Sequence, residues 1–286
     1  MQRNKKVVAI HDLSGIGRCS LTVILPILSV MGIQVCPVPT AILSSHTGGF
    51  GDVEIKDLTD YIPEALKHYK RLKENFDCIY SGYLASVMQI DYCLEFFNSY
   101  NKSLKIVDPV MGDHGKLYKA FTSELCERMK ELVKCADIIT PNLTEASILL
   151  GEKFPDGLMT TQEAKSWLVR LSEKGPQIVV MTSVVLADGS NCNLVYDREN
   201  NAFWKVVCDF VPVNYPGSGD IFSSVLVGGL LNGDSLPIAI NRATSFTEIA
   251  IKTTYSYSCE PRNGIMIESC LNWLSEKTTM KDYETL

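Results

Sequence analysis

Short apolar, β-branched runs alternate along the chain with stretches of helical period, and the alternation predicts strand–helix–strand crossovers around a parallel sheet. Val7 to Ile10 reads as a buried strand, and Gly17 to Met31 as a helix with Leu21, Ile24, Leu25 and Leu28 on one face. A second strand falls near Gln34 to Val38. Pro63 opens a helix to Asn75, Cys78 to Tyr80 is a strand, Met88 to Tyr100 a helix, and Lys105 to Val107 a strand that ends at Asp108-Pro109. Thr122 to Cys135 is helical, Ile138 to Thr140 is a strand stopped by Pro141, and Asn142 or Thr144 caps a short helix ending at Gly151. Thr160 and Glu163 make a capping box for a helix that stops at Gly175-Pro176, and Gln177 to Met181 is the next strand. Residues 184 to 207 then alternate polar and apolar positions around Asp188-Gly189 and Asn200-Asn201, the mark of antiparallel strands at one sheet edge. Past Pro216 the pattern predicts helices over Gly219 to Asn232, Pro237 to Thr254 and Ile265 to Lys277.

No repeat, low-complexity tract or linker interrupts this order, so residues 1–286 are expected to form one domain. A composition of 46% hydrophobic and 21% charged residues is that of a globular chain. The longest apolar run, Leu21 to Val35, is broken by Pro26, Ser29, Gly32 and Gln34, which excludes a spanning helix there. Val7 to Ile10 is too short for a secretory signal. Ten cysteines without a Cys-x-x-Cys spacing point to buried free thiols in a reducing cytoplasm. With 27 basic and 33 acidic residues the net charge is −6, a poor match for nucleic acid or anionic membranes. Any anionic ligand must therefore be met locally, by backbone amides, a few cations or a metal.

In a parallel sheet, ligands gather beyond the carboxyl ends of the strands, which directs attention to the loops there. Gly217-Ser218-Gly219-Asp220 precedes an apolar helix. Two glycines let backbone N–H groups close on an anion, and Asp220 stands where it can take the proton of an attacking alcohol. Asp108-Pro109-Val110-Met111-Gly112-Asp113 and Thr140-Pro141-Asn142-Leu143-Thr144-Glu145 follow neighbouring strands and offer hard oxygen ligands suited to Mg²⁺ shared with nucleotide phosphates. Thr182 and Ser183 add hydroxyls at the same end. Ser44 to Gly51, a polar glycine-rich loop holding His46 and Phe50, suits a small heteroaromatic ligand. The Gly217 to Asp220 loop alone is as well explained by a flexible helix start, and each other loop alone is better explained by turns and helix caps; their convergence is what implies phosphoryl transfer. The chain lacks Gly-x-x-x-x-Gly-Lys-Ser/Thr, Gly-x-Gly-x-x-Gly after the first strand, and Gly-x-Ser-x-Gly, so P-loop, dinucleotide and hydrolase readings lose their markers.

Taken together, Ser45-His46-Thr47-Gly48, Ser81-Gly82-Tyr83, Asp108 to Asp113, Thr140-Pro141-Asn142-x-x-Glu145, Thr182-Ser183 and Gly217 to Asp220 resemble the pyridoxal kinases of the ribokinase superfamily across nearly the whole chain. The resemblance implies an α/β three-layer sandwich: a mostly parallel central sheet, antiparallel edge strands, helices on both faces and no large lid domain. It implies ATP-dependent phosphorylation of the 5′-hydroxyl of a vitamin B6 form by a homodimer. Asp220 would be the base and Gly217, Ser218 and Gly219 the anion hole. Asp113 would hold Mg²⁺, and Asp108, Thr140, Glu145 and Thr182 would surround a monovalent cation, K⁺ or Na⁺, or the metal's water shell. Asn142 and Ser183 would touch phosphates and Tyr118 would cover them. Thr47 and Tyr83, with His46, would line the ring pocket. The segment His11-Asp12-Leu13-Ser14-Gly15 departs toward the hydroxymethylpyrimidine kinase pattern, so Asp12 and Ser14 are expected at the ring, with Asp12 accepting from a pyridinium N–H or an amino substituent. A hydroxymethylpyrimidine kinase and a catalytically silent nucleotide- or B6-binding regulator remain alternatives.

Overall fold

The computed structural model describes residues 4–119, 121–209, 211–275 and 284–286. In chain order its elements are β1 (Lys6–Ile16), α1 (Leu21–Val30), β2 (Gln34–Ser45), β3 (Ile55–Asp57), α2 (Tyr61–Arg71), β4 (Cys78–Ser81), α3 (Val87–Ser99) and β5 (Leu104–Val107). There follow β6 (Gly112–Asp113), β7 (Lys116–Leu117), α4 (Ser123–Lys134), β8 (Ile138–Ile139), α5 (Leu143–Leu150), α6 (Thr161–Glu173), β9 (Ile178–Val185), β10 (Asn191–Asp197) and β11 (Ala202–Val207). The chain closes with α7 (Ser218–Leu231), α8 (Leu236–Ser256), a 3₁₀ turn (Pro261–Asn263), α9 (Asn272–Ser275) and β12 (Glu284–Thr285).

Ten strands form one sheet in the order β12-β11-β10-β9-β8-β5-β4-β1-β2-β3. The six from β9 to β2 run parallel, and antiparallel strands finish both edges. Successive residues of the central strands enter opposite layers, as a period of two requires. Val8, Ile10, Ile79, Val107 and Ile139 pack under α2 to α6, whereas Val7, Ala9, Tyr80, Ile106 and Ile138 pack against α1, α7 and α8. Burial of both faces is why these strands read as unbroken apolar runs.

Most predicted elements are present, with four differences. β1 and β2 run well past Ile10 and Val38, paired to Ile16 and Ser45 through a register shift between His11 and Leu13. β9 likewise continues through Thr182 and Ser183 to Val185, so those hydroxyls lie within a strand and not after it. Polar residues in these extensions hide them from a hydrophobic pattern. The helix expected over Ile265 to Lys277 is reduced to Asn272–Ser275, because Ile265, Ile267 and Cys270 are buried at spacings that suit an irregular segment; Lys277 lies outside the described residues. The small pieces β3 and β12 at the sheet edges, and β6 and β7, which pair with each other in a separate hairpin, are too short to show a period. Among the described residues no helix is long and apolar enough to cross a membrane, and all ten cysteines are free thiols, six of them buried.

Candidate active site

The site grows from the point where α7 starts. Gly217 caps this helix at φ 85°, and a Cβ there would lie 2.2 Å from the carbonyl oxygen of Arg18, so the backbone approach itself requires glycine. The first helical bond runs from the Ile221 N–H to the Gly217 carbonyl. Ahead of it, the N–H groups of Ser218, Gly219 and Asp220 have no place in the helical ladder and are available to an anion, aided by the positive end of the helix. Asp220 is fixed beside them by the Ser20 backbone N–H, which donates to its Oδ2 at 2.8 Å. Burial pushes the Asp220 carboxyl up to about 7, the nearby charge of Asp12 adds to the rise, and the Ser20 N–H opposes it.

Asp108 lies against the same helix start, where a Cβ on Gly219 would come within 3.6 Å of its Oδ2. Burial and then the charge of Asp220 push its carboxyl well above the carboxylate range, against a hydrogen bond from Thr140. Thr140 Oγ1 is also 3.0 Å from Ser223 Oγ. Glu145 is buried, with Oε1 accepting from Met111 N–H at 3.2 Å and Oε2 from Asn142 N–H at 2.9 Å. It too is raised well above its usual range, first by burial and then by Asp108. Asn142 and Glu145 form a reciprocal capping box on α5, while Asn142 Nδ2 donates to the Gly112 carbonyl at 2.9 Å and so ties the β6–β7 hairpin to the site. Asp113, on that hairpin, accepts from the His114 N–H at 2.8 Å. Tyr118 is 44% exposed, and burial followed by the charges of Glu145, Asp113, Asp108 and Asp220 pushes its phenol up.

Ser183 stands at φ 55° within β9, its N–H donating to Asn193 Oδ1 at 3.0 Å; it is exposed and Thr182 is half-buried beside it. On the far side of Asp220, Asp12 is 5% exposed and receives hydrogen bonds from Ser20 Oγ at 2.6 Å and Ser14 Oγ at 3.2 Å. Burial raises its carboxyl, and the two hydroxyls pull it back. Tyr83 is near enough for the Asp12 charge to add to burial in raising its phenol, and its ring meets Phe121 edge-on at 5.9 Å. Both His46 nitrogens are engaged by backbone: Nδ1 accepts from the Gly48 N–H at 3.0 Å, and Nε2 donates to the Arg262 carbonyl at 2.6 Å. The imidazole thus shapes the loop, with its ring 4.9 Å from Phe50, while Thr47 is exposed at the loop tip. An open depression of about 440 Å³ lined by Val213, Tyr215, Tyr255 and Cys259 among others includes none of these residues.

The fold therefore gathers Asp12, Asp108, Glu145 and Asp220 near one sheet end, with Asp113 and Tyr118 on a hairpin facing them. Sequence reasoning missed Ser20, Ser223 and Asn193. Ser20 looks like an ordinary helix cap, Ser223 like a helix-interior residue and Asn193 like an alternating strand position; nothing in spacing marks them. Among the described residues no three His, Cys, Asp or Glu side chains converge as a ready metal cage. The buried, mutually repelling carboxylates nonetheless fit a hard cation that keeps several waters and needs only one or two of them directly.

Fold and site together define a ribokinase-like small-molecule kinase architecture. A family model described as phosphomethylpyrimidine kinase matches residues 27–265, and the chain belongs to that family. Pyridoxal kinase from Lactobacillus plantarum superposes with a TM-score of 0.87 at 30% identity, covering 94% of this chain and 96% of that one. A Bacteroides thetaiotaomicron protein provisionally described as a phosphomethylpyrimidine kinase, in a crystal form with pyridoxal, is 45% identical with a TM-score of 0.94 and covers 99% of this chain and 100% of that one. Human pyridoxal kinase is 30% identical over 223 residues, 70% of this chain and 69% of that protein. The chain spans 42%, 65% and 66% of the first curated relatives it matches.

The raised Asp108 fixes the sign of a stability effect. The native state holds the Asp108 proton more tightly than the unfolded chain, so stability is greatest below the unfolded value of about 4 and falls as pH rises toward the folded value. Asp108→Asn is expected to raise the melting temperature of the ligand-free protein at about pH 8 and to lose that advantage toward about pH 4. Calorimetry at both pH values checks it.

Proposed function

We propose that this protein transfers the γ-phosphoryl group of ATP to the 5′-hydroxyl of a vitamin B6 form. The observation behind the proposal is Asp220, held by the Ser20 N–H in the first turn of α7 beside three N–H groups free for an anion. The alcohol oxygen forms the new bond to phosphorus as its proton passes to Asp220, and the bond from phosphorus to the bridging oxygen breaks to release ADP. The Ser218, Gly219 and Asp220 N–H groups meet the charge that grows on the transferred group. Tyr118, Asn142, Thr182 and Ser183 border the phosphate path. Asp113, with Asp108, Glu145 and Thr140, would hold Mg²⁺ and a monovalent cation, which neutralise phosphate charge when bound. Asp12 takes a ring donor, and Ser14, His46, Thr47 and Tyr83 shape the pocket around it.

The likeness of the whole chain to pyridoxal kinases, and the pyridoxal in the Bacteroides relative, favour a pyridine over a pyrimidine substrate. A hydroxymethylpyrimidine kinase is the second reading, favoured by the family match. ADP release from Mg-ATP is expected with pyridoxal, pyridoxine or pyridoxamine, weaker with hydroxymethylpyrimidine and lost with chelator. A preference for the pyrimidine reverses the reading, and binding without ADP release marks a silent regulator.

Asp220 acts as base only when ionised. Protonation below about 7 therefore removes it, so kcat/KM is expected to fall about tenfold per pH unit on the acid side of 7. Asp220→Asn is expected to lower kcat about a thousandfold while nucleotide still binds. Steady-state rates across pH, with calorimetric titration of nucleotide, measure both.

The buried thiols are in keeping with a reducing cytoplasmic setting. A homodimer is supported by Ile16, Ile42 and Ile55, which are 61%, 46% and 58% exposed on the extended β1–β2–β3 edge. Light scattering is expected to give twice the mass of one 31.8 kDa chain, and Ile42→Asp to shift it toward one.

A further inference from the structure

Ser20 stands between the two carboxylates that the proposed reaction needs at opposite ends of its substrate. Its backbone N–H donates to Asp220 Oδ2 and its hydroxyl to Asp12 Oδ1, over 2.8 and 2.6 Å. Ser20 and Asp12 are both buried, and the other Asp12 oxygen accepts from Ser14 Oγ. A serine at a helix N-cap ordinarily turns its side-chain oxygen back to accept from an N–H of the first turn. Here that bond is not made. Only the Ser20 carbonyl serves α1, accepting from the Val23 and Ile24 N–H groups at 3.1 and 3.0 Å, while the hydroxyl is turned toward Asp12.

The backbone of Ser20 lies at φ 50°, ψ −134°, a conformation that a residue with a Cβ holds only where its surroundings force it. Glycine would supply the same N–H without that strain. What glycine lacks is the hydroxyl, so the bond to Asp12 is what a serine adds at this position.

We propose that Ser20 is a positioning residue that joins Asp12 and Asp220 into one rigid unit. The ring-binding carboxylate and the base then keep a fixed separation, matched to a heteroaromatic ring that carries a proton-donating nitrogen and a hydroxymethyl arm. The inference rests on reading the site as a B6 kinase. A fixed separation matters because partners already held in place take the ring without first having to be ordered.

Steady-state kinetics with pyridoxal and Mg-ATP test it on Ser20→Ala, Ser20→Gly, Asp12→Asn and the double variant Ser20→Ala/Asp12→Asn, all of which keep the N–H at position 20. Ser20→Ala is expected to raise KM for pyridoxal about tenfold, the worth of one hydrogen bond to a charged group, and KM for ATP by no more than about twofold. Ser20→Gly, relieved of backbone strain, is expected to show the same selective rise, which separates loss of the hydroxyl from misfolding. In the double variant the serine change is expected to add nothing to the loss from Asp12→Asn. Additive losses, equal rises in both KM values or an unchanged KM for pyridoxal overturn the inference. A wild-type protein that turns over no pyridoxal sinks the kinase reading and this inference with it, whereas an active wild type with an unaffected Ser20→Ala sinks the inference alone.

Discussion

Mutual repulsion among carboxylates confined to one end of a sheet is the constraint to which the rest of the site answers. Asp12, Asp108, Glu145 and Asp220 are all raised by burial, and the charge of Asp220 raises Asp108 further, that of Asp108 raises Glu145 and that of Asp12 raises Asp220. Without ligands such a group is tolerated by holding protons and by accepting from Ser14, Ser20, Thr140, Met111 and Asn142. Carboxylates confined in this way favour positive over negative charge at that sheet end. A chain of net charge −6 has no broad basic field to attract an anion, so any such attraction at this sheet end must come locally, as from the start of α7.

The layers of the fold were legible because both faces of the central strands are buried, which leaves apolar runs such as Val7 to Ile10 and Ile178 to Met181 with helices between them. The strand extensions were not. Residues such as Ser14, Thr40, Ser44 and Ser183 occupy strand positions where backbone pairing, and not hydrophobic alternation, sets the structure. The short edge strands owe their existence to partners distant in sequence, as when Glu284 and Thr285 pair with Lys205 and Trp204. Local pattern holds no record of that.

Within the site, residues at strand ends and helix starts could be read because their chemistry is unusual for their place. Gly217 to Asp220, Asp108 and Glu145 are of this kind. The supporting groups were invisible for the opposite reason: Ser20, Ser223 and Asn193 are chemically ordinary, and only the crossing of distant segments gives them partners. His46 shows the converse. An imidazole in a glycine-rich loop invites a ligand role, yet the structure spends both nitrogens on the backbone of Gly48 and Arg262.

The bond from the Ser20 N–H to Asp220 also says how two helices can begin at one place. α1 and α7 start beside each other, so their partial positive ends lie close together, an arrangement that opposes itself in a medium of low polarity. A carboxylate lodged between those ends is shared by both fields. Above about 7, where it is ionised, Asp220 thereby serves as the counter-charge of a helix pair, and its removal would set two like poles face to face even where no substrate is ever bound.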